Sequence, residues 1–166
     1  MKMLKAFALA FVLFAGLSSV AMAQTDNHVV NVEVQAINEI AITGDVTLQI
    51  TTATAGADPD DATGSTSYAI TTNDAGGTTR ITASTSVDPS GLGTGSGGVD
   101  IQVDATAPSG GAGAGNVSLG TTAVNVVTSI DPVSEGTLSL DYTLSATAET
   151  GQLASTAVTV TYTIVN

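Results

Sequence analysis

Val158-Thr159-Val160-Thr161-Tyr162-Thr163-Ile164-Val165 is the stretch on which the fold turns. Val158, Val160, Tyr162 and Ile164 alternate with three threonines and Val165, and a period of two puts alternate side chains on opposite faces of a strand. One face suits a core and the other suits water. Upstream, Leu138, Leu140, Tyr142 and Leu144 alternate with Ser139, Asp141, Thr143 and Ser145, and Val99, Ile101 and Val103 alternate with Asp100, Gln102 and Asp104. Further strands are expected at residues 46–50, 67–72, 79–85, 117–119 and 123–130. Their Thr and Val content fits, because β-branched side chains pack well on a pleated surface.

No segment after residue 23 carries a helical period. Turn formers separate the strands: Thr43-Gly44-Asp45, Asn73-Asp74-Ala75-Gly76-Gly77, Asp88 to Gly98, Pro108 to Asn116, Ser134-Glu135-Gly136 and Glu149-Thr150-Gly151. All four prolines (Pro59, Pro89, Pro108, Pro132) fall in these breaks, where no ladder hydrogen bond is lost. About nine short strands separated by turn signals predict an all-β antiparallel β-sandwich, immunoglobulin-like or jelly-roll-like, with a closed barrel as second choice. No fixed repeat is visible, which argues against a solenoid.

The first 23 residues read differently. Lys2 and Lys5 precede an apolar run from Ala6 to Leu17, and Ala21-Met22-Ala23 supplies a small-x-small cleavage pattern before Gln24. The run is shorter than the ~20 residues that span a bilayer. Residues 1–23 are therefore expected to be a signal peptide, and residues 24–166 a single exported domain, secreted to the extracellular space or cell surface without membrane insertion.

Every Lys, Met and Phe lies in that leader. Residues 24–166 hold no Cys or Trp, one Arg (Arg80), one His (His28) and fifteen carboxylates, a formal charge of −14. Without cysteine, stability must come from packing and strand pairing. The charge disfavours nucleic acid and anionic membranes as partners, since both need Lys and Arg. Arg80 is expected to pair with a nearby carboxylate on the sheet surface. Enzymes near neutral pH usually depend on a His, Cys, Lys or paired carboxylate in a pocket, so a non-enzymatic role is expected.

Two features carry candidate function. After the polar lead 24–27, residues 28–37 alternate again, with Val30, Val32, Val34 and Ala36 on one face and Asn31, Glu33 and Gln35 on the other. Such a terminal strand either pairs as an edge of its own sheet or is donated to a neighbour by strand addition. The second feature is Asp58-Pro59-Asp60-Asp61, the densest acidic cluster, where Asp58, Asp60 and Asp61 are the candidate calcium ligands. Thr63 stands where an EF-hand loop needs Gly, and no Glu closes the loop, so a solvated acidic turn competes with the metal site.

Other motifs carry less. Gly93-Thr94-Gly95-Ser96-Gly97-Gly98 matches a dinucleotide fingerprint in letters only, because a strand and not a helix follows. It reads as a flexible hairpin loop. Asn116-Val117-Ser118 is a sequon that matters only in a glycosylating host. His28 has no partner for a catalytic triad.

Residues 65–73, Arg80-Ile81-Thr82-Ala83, Leu140-Asp141-Tyr142-Thr143-Leu144-Ser145-Ala146 and 158–164 resemble a pattern of small secreted bacterial proteins of unassigned function. The resemblance implies a β-sandwich outside the cytoplasm and brings no activity. In layout the chain is also similar to fimbrial subunits and biofilm-matrix fibre proteins, which join an export signal, a β-sandwich and a donatable terminal strand. It departs from chaperone–usher pilins in having no disulfide and no aromatic next to its last residue, and isopeptide cross-links are impossible without Lys.

The leading expectation is a structural subunit of an extracellular filament, pilus-like fibre or matrix, a homo-polymer formed by strand exchange through residues 28–37, without a cofactor. A monomeric binding module or adhesin, assisted by calcium, is the alternative.

Overall fold

In the computed structural model, residues 24–166 are described, and the expected signal peptide lies outside them. The chain divides into two units, residues 1–34 and 35–166. All nine strands among the described residues fall in the second: β1 (Asn38–Thr43), β2 (Ala62–Thr72), β3 (Thr79–Thr85), β4 (Val99–Ala105), β5 (Ala112–Gly113), β6 (Val117–Ser118), β7 (Val124–Ile130), β8 (Val133–Ala146) and β9 (Val160–Val165). They form two antiparallel sheets, ordered β1-β2-β8-β4-β6 and β5-β7-β3-β9. The expected all-β sandwich is the fold.

From β2 onward the chain changes sheet at each connection, so of the seven ladders only β1–β2 joins strands adjacent in sequence. β8 is the longest strand, 14 residues, and pairs with β2 on one side and β4 on the other.

Alternation places the core as the sequence requires. On β4, Val99, Ile101, Val103 and Ala105 are buried while Asp104 is exposed. On β3, Thr79, Ile81, Ala83 and Thr85 face inward. Each fully buried Ile, Leu or Val stabilises the fold by roughly 1.5–3 kcal/mol. The interior bounded by Ile40, Tyr68, Ile81, Val126, Leu140 and Tyr162 leaves no room for a water molecule. The three tyrosines supply the bulk that the missing Phe and Trp do not, and their hydroxyls find partners inside. Tyr68 Oη donates to the Thr106 carbonyl at 2.5 Å, and the hydroxyls of Tyr142 (β8) and Tyr162 (β9) lie 2.6 Å apart, joining the two sheets.

Departures from the expected strands have local causes. Ser134-Glu135-Gly136, expected as a turn, lies inside β8, where the register against β2 slips between Tyr68↔Leu138 and Ile70↔Glu135. The extra residue is a β-bulge, and Thr137 takes it up at φ 63°. β7 is bulged against β3 in two places, with Ser129 at φ 56°, which lets the neighbours Val126 and Val127 both point inward. Residues 46–50 alternate in burial as expected of a strand, yet they join no ladder. Val46 and Leu48 instead fill the space beneath Gly64 of β2, where an added Cβ would come within 2.7 Å of Val46 Cγ1.

The Gly93–Gly98 stretch is a docked loop, not a flexible one, and not a hairpin, because β3 and β4 on either side of it lie in different sheets. Gly95 N–H donates to the Thr150 carbonyl and Gly97 N–H to the Glu149 carbonyl, both at 2.9 Å, while Thr150 Oγ1 donates to the Gly98 carbonyl at 2.6 Å. A Cβ on Gly95 would sit 1.8 Å from the Glu149 carbonyl oxygen, and one on Gly98 2.0 Å from that of Ser90. The glycines are there because backbone packs against backbone.

Two stability tests follow from this packing. Gly98→Ala is expected to lose at least about 3 kcal/mol in urea unfolding, because the clash is with main chain. Gly120→Ala, which meets nothing within 4 Å, should change stability by less than about 1 kcal/mol. Tyr142→Phe should cost about 1 kcal/mol by stranding the Tyr162 hydroxyl, and adding Tyr162→Phe should cost less than the sum of the two single changes. A double-mutant cycle reads that coupling directly.

Candidate functional site

The terminal segment is the feature the fold leaves over. No residue from 24 to 37 belongs to a strand, and Val29, Val30, Val32 and Val34 are 85%, 68%, 88% and 80% exposed. The expected strand over 28–37 is therefore not formed within the domain. Regular pairing begins only at Asn38, opposite Thr72.

The reason is the length of β2. It ends at Thr72, and the chain turns away through Asn73-Asp74-Ala75-Gly76-Gly77. The Asn73 side chain closes the ladder: its Oδ1 accepts from Ile37 N–H and its Nδ2 donates to the Gln35 carbonyl, both at 2.7 Å. A polar chain braces the same end. Thr72 Oγ1 donates to Asn38 Oδ1 at 2.7 Å, Thr79 Oγ1 lies 3.1 Å from Asp74 Oδ2, and the Asn166 side chain also meets the Thr79 hydroxyl at 3.3 Å.

Charge is divided between the sheets. The strands of the five-stranded sheet carry Glu39, Asp100, Asp104, Glu135 and Asp141, whereas β3, β5, β7 and β9 contain no carboxylate and hold Arg80. Arg80 is half-buried on β3, opposite Val165 of β9. No strand of its sheet carries the carboxylate expected as its partner.

The acidic loop does not gather its carboxylates. Asp58 Oδ1 accepts from the Ala148 N–H at 3.0 Å, starting the 3-10 turn Ala148–Thr150. Asp60 N–H donates to the Thr52 carbonyl at 2.9 Å, and Ala53 bridges Pro59. Among the described residues no three His, Cys, Asp or Glu side chains come close enough to hold a metal ion. Asp58, Asp60 and Asp61 thus serve a tight loop. The sequence signal missed here was Thr147-Ala148-Glu149-Thr150, whose first backbone N–H needs a cap.

A surface depression of about 370 Å³ opens over the β1, β2 and β8 strands, between Glu39, Ala41, Thr71, Ser134 and Glu135. The Glu135 carboxylate is already engaged, accepting the Ser109 N–H at 2.8 Å. His28 is exposed in the terminal segment.

The buried phenols are the groups whose ionisation the fold opposes. Burial, reinforced by the Glu135 charge, pushes Tyr68 up to about 12. Burial also raises Tyr142 and Tyr162; their mutual hydrogen bond lowers the former and raises the latter. No helix among the described residues is long and apolar enough to cross a membrane. No protein-family model matches the chain, and no curated protein matches it.

The tyrosines give a pH test. A phenol whose folded pKa exceeds its unfolded value of 10.0 stabilises the fold fully below pH 10, and that contribution is lost as pH rises to about 12. Residues 24–166 contain no Lys or Cys to titrate in the same window. Stability should fall as pH rises from 10 to about 12, by roughly 1.4 kcal/mol per pH unit for Tyr68 alone, with Tyr142 and Tyr162 adding in the same direction. Tyrosinate absorbance should rise in one step with unfolding, and separate early titration of any tyrosine would contradict the burial described.

Proposed function

We propose that the protein is an exported, non-enzymatic structural subunit that polymerises by β-strand addition into an extracellular filament or matrix. The single observation that carries this is the terminal segment: a valine-rich, strictly alternating strand sequence whose valines are two-thirds or more exposed and whose backbone joins no ladder. Exposed apolar surface of this kind marks an interaction site. An alternating segment that joins no ladder suits the edge of another sheet, where main-chain hydrogen bonds give affinity and alternate side chains give register. Val30, Val32, Val34 and Ala36 would be the inward residues of the donated strand.

The rest of the chain is consistent with that role. The sandwich is braced where the segment departs, by Asn73 and the Asn38–Thr72 and Thr79–Asn166 contacts. A rigid end fixes where each new subunit is added.

Replacing Val32 and Val34 together by Asp removes two buried valines from such a junction, each worth about 1.5–3 kcal/mol. Assembly of the exported chain, followed by light scattering and electron microscopy, should then need at least about 100-fold more protein. Deleting residues 24–34 should leave a folded monomer with an unchanged circular-dichroism spectrum. Fibres formed equally well by both variants would refute strand donation.

A further inference from the structure

We propose that the acceptor is the open edge of β9, and that residues 29–36 of one copy add there as a fifth strand on the four-stranded sheet of the next copy. This rests on the strand-addition reading above and names its partner surface.

Length removes two of the four sheet edges. β5 and β6 are two residues each, too short to template an eight-residue strand, whereas β1 and β9 offer six. Backbone direction then defines what β9 offers. Ser86 N–H donates to the Thr159 carbonyl at 2.9 Å, and Thr159 N–H donates to Ser86 Oγ at 3.1 Å. In an antiparallel pair the bonded positions alternate. Thr161, Thr163 and Val165, opposite Ser84, Thr82 and Arg80, therefore bond to β3. The N–H and C=O groups of Val160, Tyr162 and Ile164 point to the open side.

Side chains and charge decide between the two long edges. Val160, Tyr162 and Ile164 are half-buried and lie against the core, so a row of valines beside them would complete their burial. β1 presents a weaker apolar row, with Asn38 and Ile42 exposed. A donated strand brings Glu33 on its outer face. At β1 it would meet Glu39 and, across the depression, Glu135, and like charges side by side on a sheet destabilise. At β9 it would meet Thr161 and Thr163, with Arg80 one strand further in. Donor and acceptor are different surfaces of one chain, so the contact is heterologous and propagates as an open filament.

The chain has no cysteine after residue 23, so introduced thiols report without interference. Exported chains carrying Asn31→Cys would be mixed with chains carrying Thr161→Cys, Thr163→Cys or Ala41→Cys, then oxidised and run on non-reducing gels. Covalent dimers with a β9 thiol, at least tenfold above those with Ala41→Cys on β1, are expected. Hydrogen exchange on the unsubstituted chain gives a second reading: on assembly the amides of Val160, Tyr162 and Ile164 should slow at least tenfold, while those of Thr161 and Thr163 stay as they were. Cross-links confined to Ala41→Cys, or an assembled sample without the β9 cross-link, overturn the β9 edge and leave strand addition standing. A chain that stays monomeric with or without residues 24–34 overturns both.

Discussion

An extended backbone must find partners for its N–H and C=O groups, and in this fold the regular ladder that β2 offers ends at Thr72. Alternation of the strand type runs from Val30 to Ile42 with little interruption, yet only Asn38–Thr43 is paired, because β2 turns away after pairing Asn38. Asn73 settles the junction with its own side chain, taking Ile37 N–H and reaching the Gln35 carbonyl. Had β2 continued for eight more residues, the terminal segment would be an unremarkable edge strand. Where that single turn falls decides how much of the alternating segment the sheet pairs.

The same reliance on backbone contact runs through the sandwich. With no disulfide and no Trp or Phe after residue 23, the domain gains compactness by bringing main chain close to main chain. Gly95, Gly97 and Gly98 press against Glu149, Thr147 and Ser90, and Gly64 makes room for Val46 and Leu48. Six of seven ladders join strands distant in sequence. Such non-local pairing folds slowly and leaves strand edges open meanwhile, a hazard for a chain that also exposes Val29, Val30, Val32 and Val34. The strong negative charge works against premature association during that interval.

Much of the fold was legible because alternation is a local signal. Residues 79–85, 99–103, 123–130 and 138–145 lie in strands at or near their expected limits, and all three tyrosines point inward. What was illegible depends on neighbours. Ser134-Glu135-Gly136 carries turn chemistry, but flanking ladders hold it as a bulge, and a β-branched Thr137 at positive φ could not be anticipated from composition. Residues 46–50 have the pattern of a strand and lack only a partner. The count of nine strands agreed although two members changed: Asn38–Thr43 and Ala112–Gly113 stand in place of 28–37 and 46–50. For the candidate site, the sequence singled out residues 28–37, which join no ladder in the structure, while the Asp58 carboxylate of the acidic loop accepts the Ala148 N–H, a contact with a residue 90 positions away that no local pattern announces.

Fifteen carboxylates scattered at random would fall on both sheets, and repulsion between copies at −14 each would oppose any close contact. Here the strand-borne carboxylates keep to the five-stranded sheet, and the only arginine sits on the other. The β9 side is thereby the one long edge at which a second copy can approach without setting carboxylate against carboxylate. In the strand addition proposed above, the acidic sheet would serve solubility and the other sheet the contact between copies, because a single Glu or Asp on β9 would be enough to protect that edge.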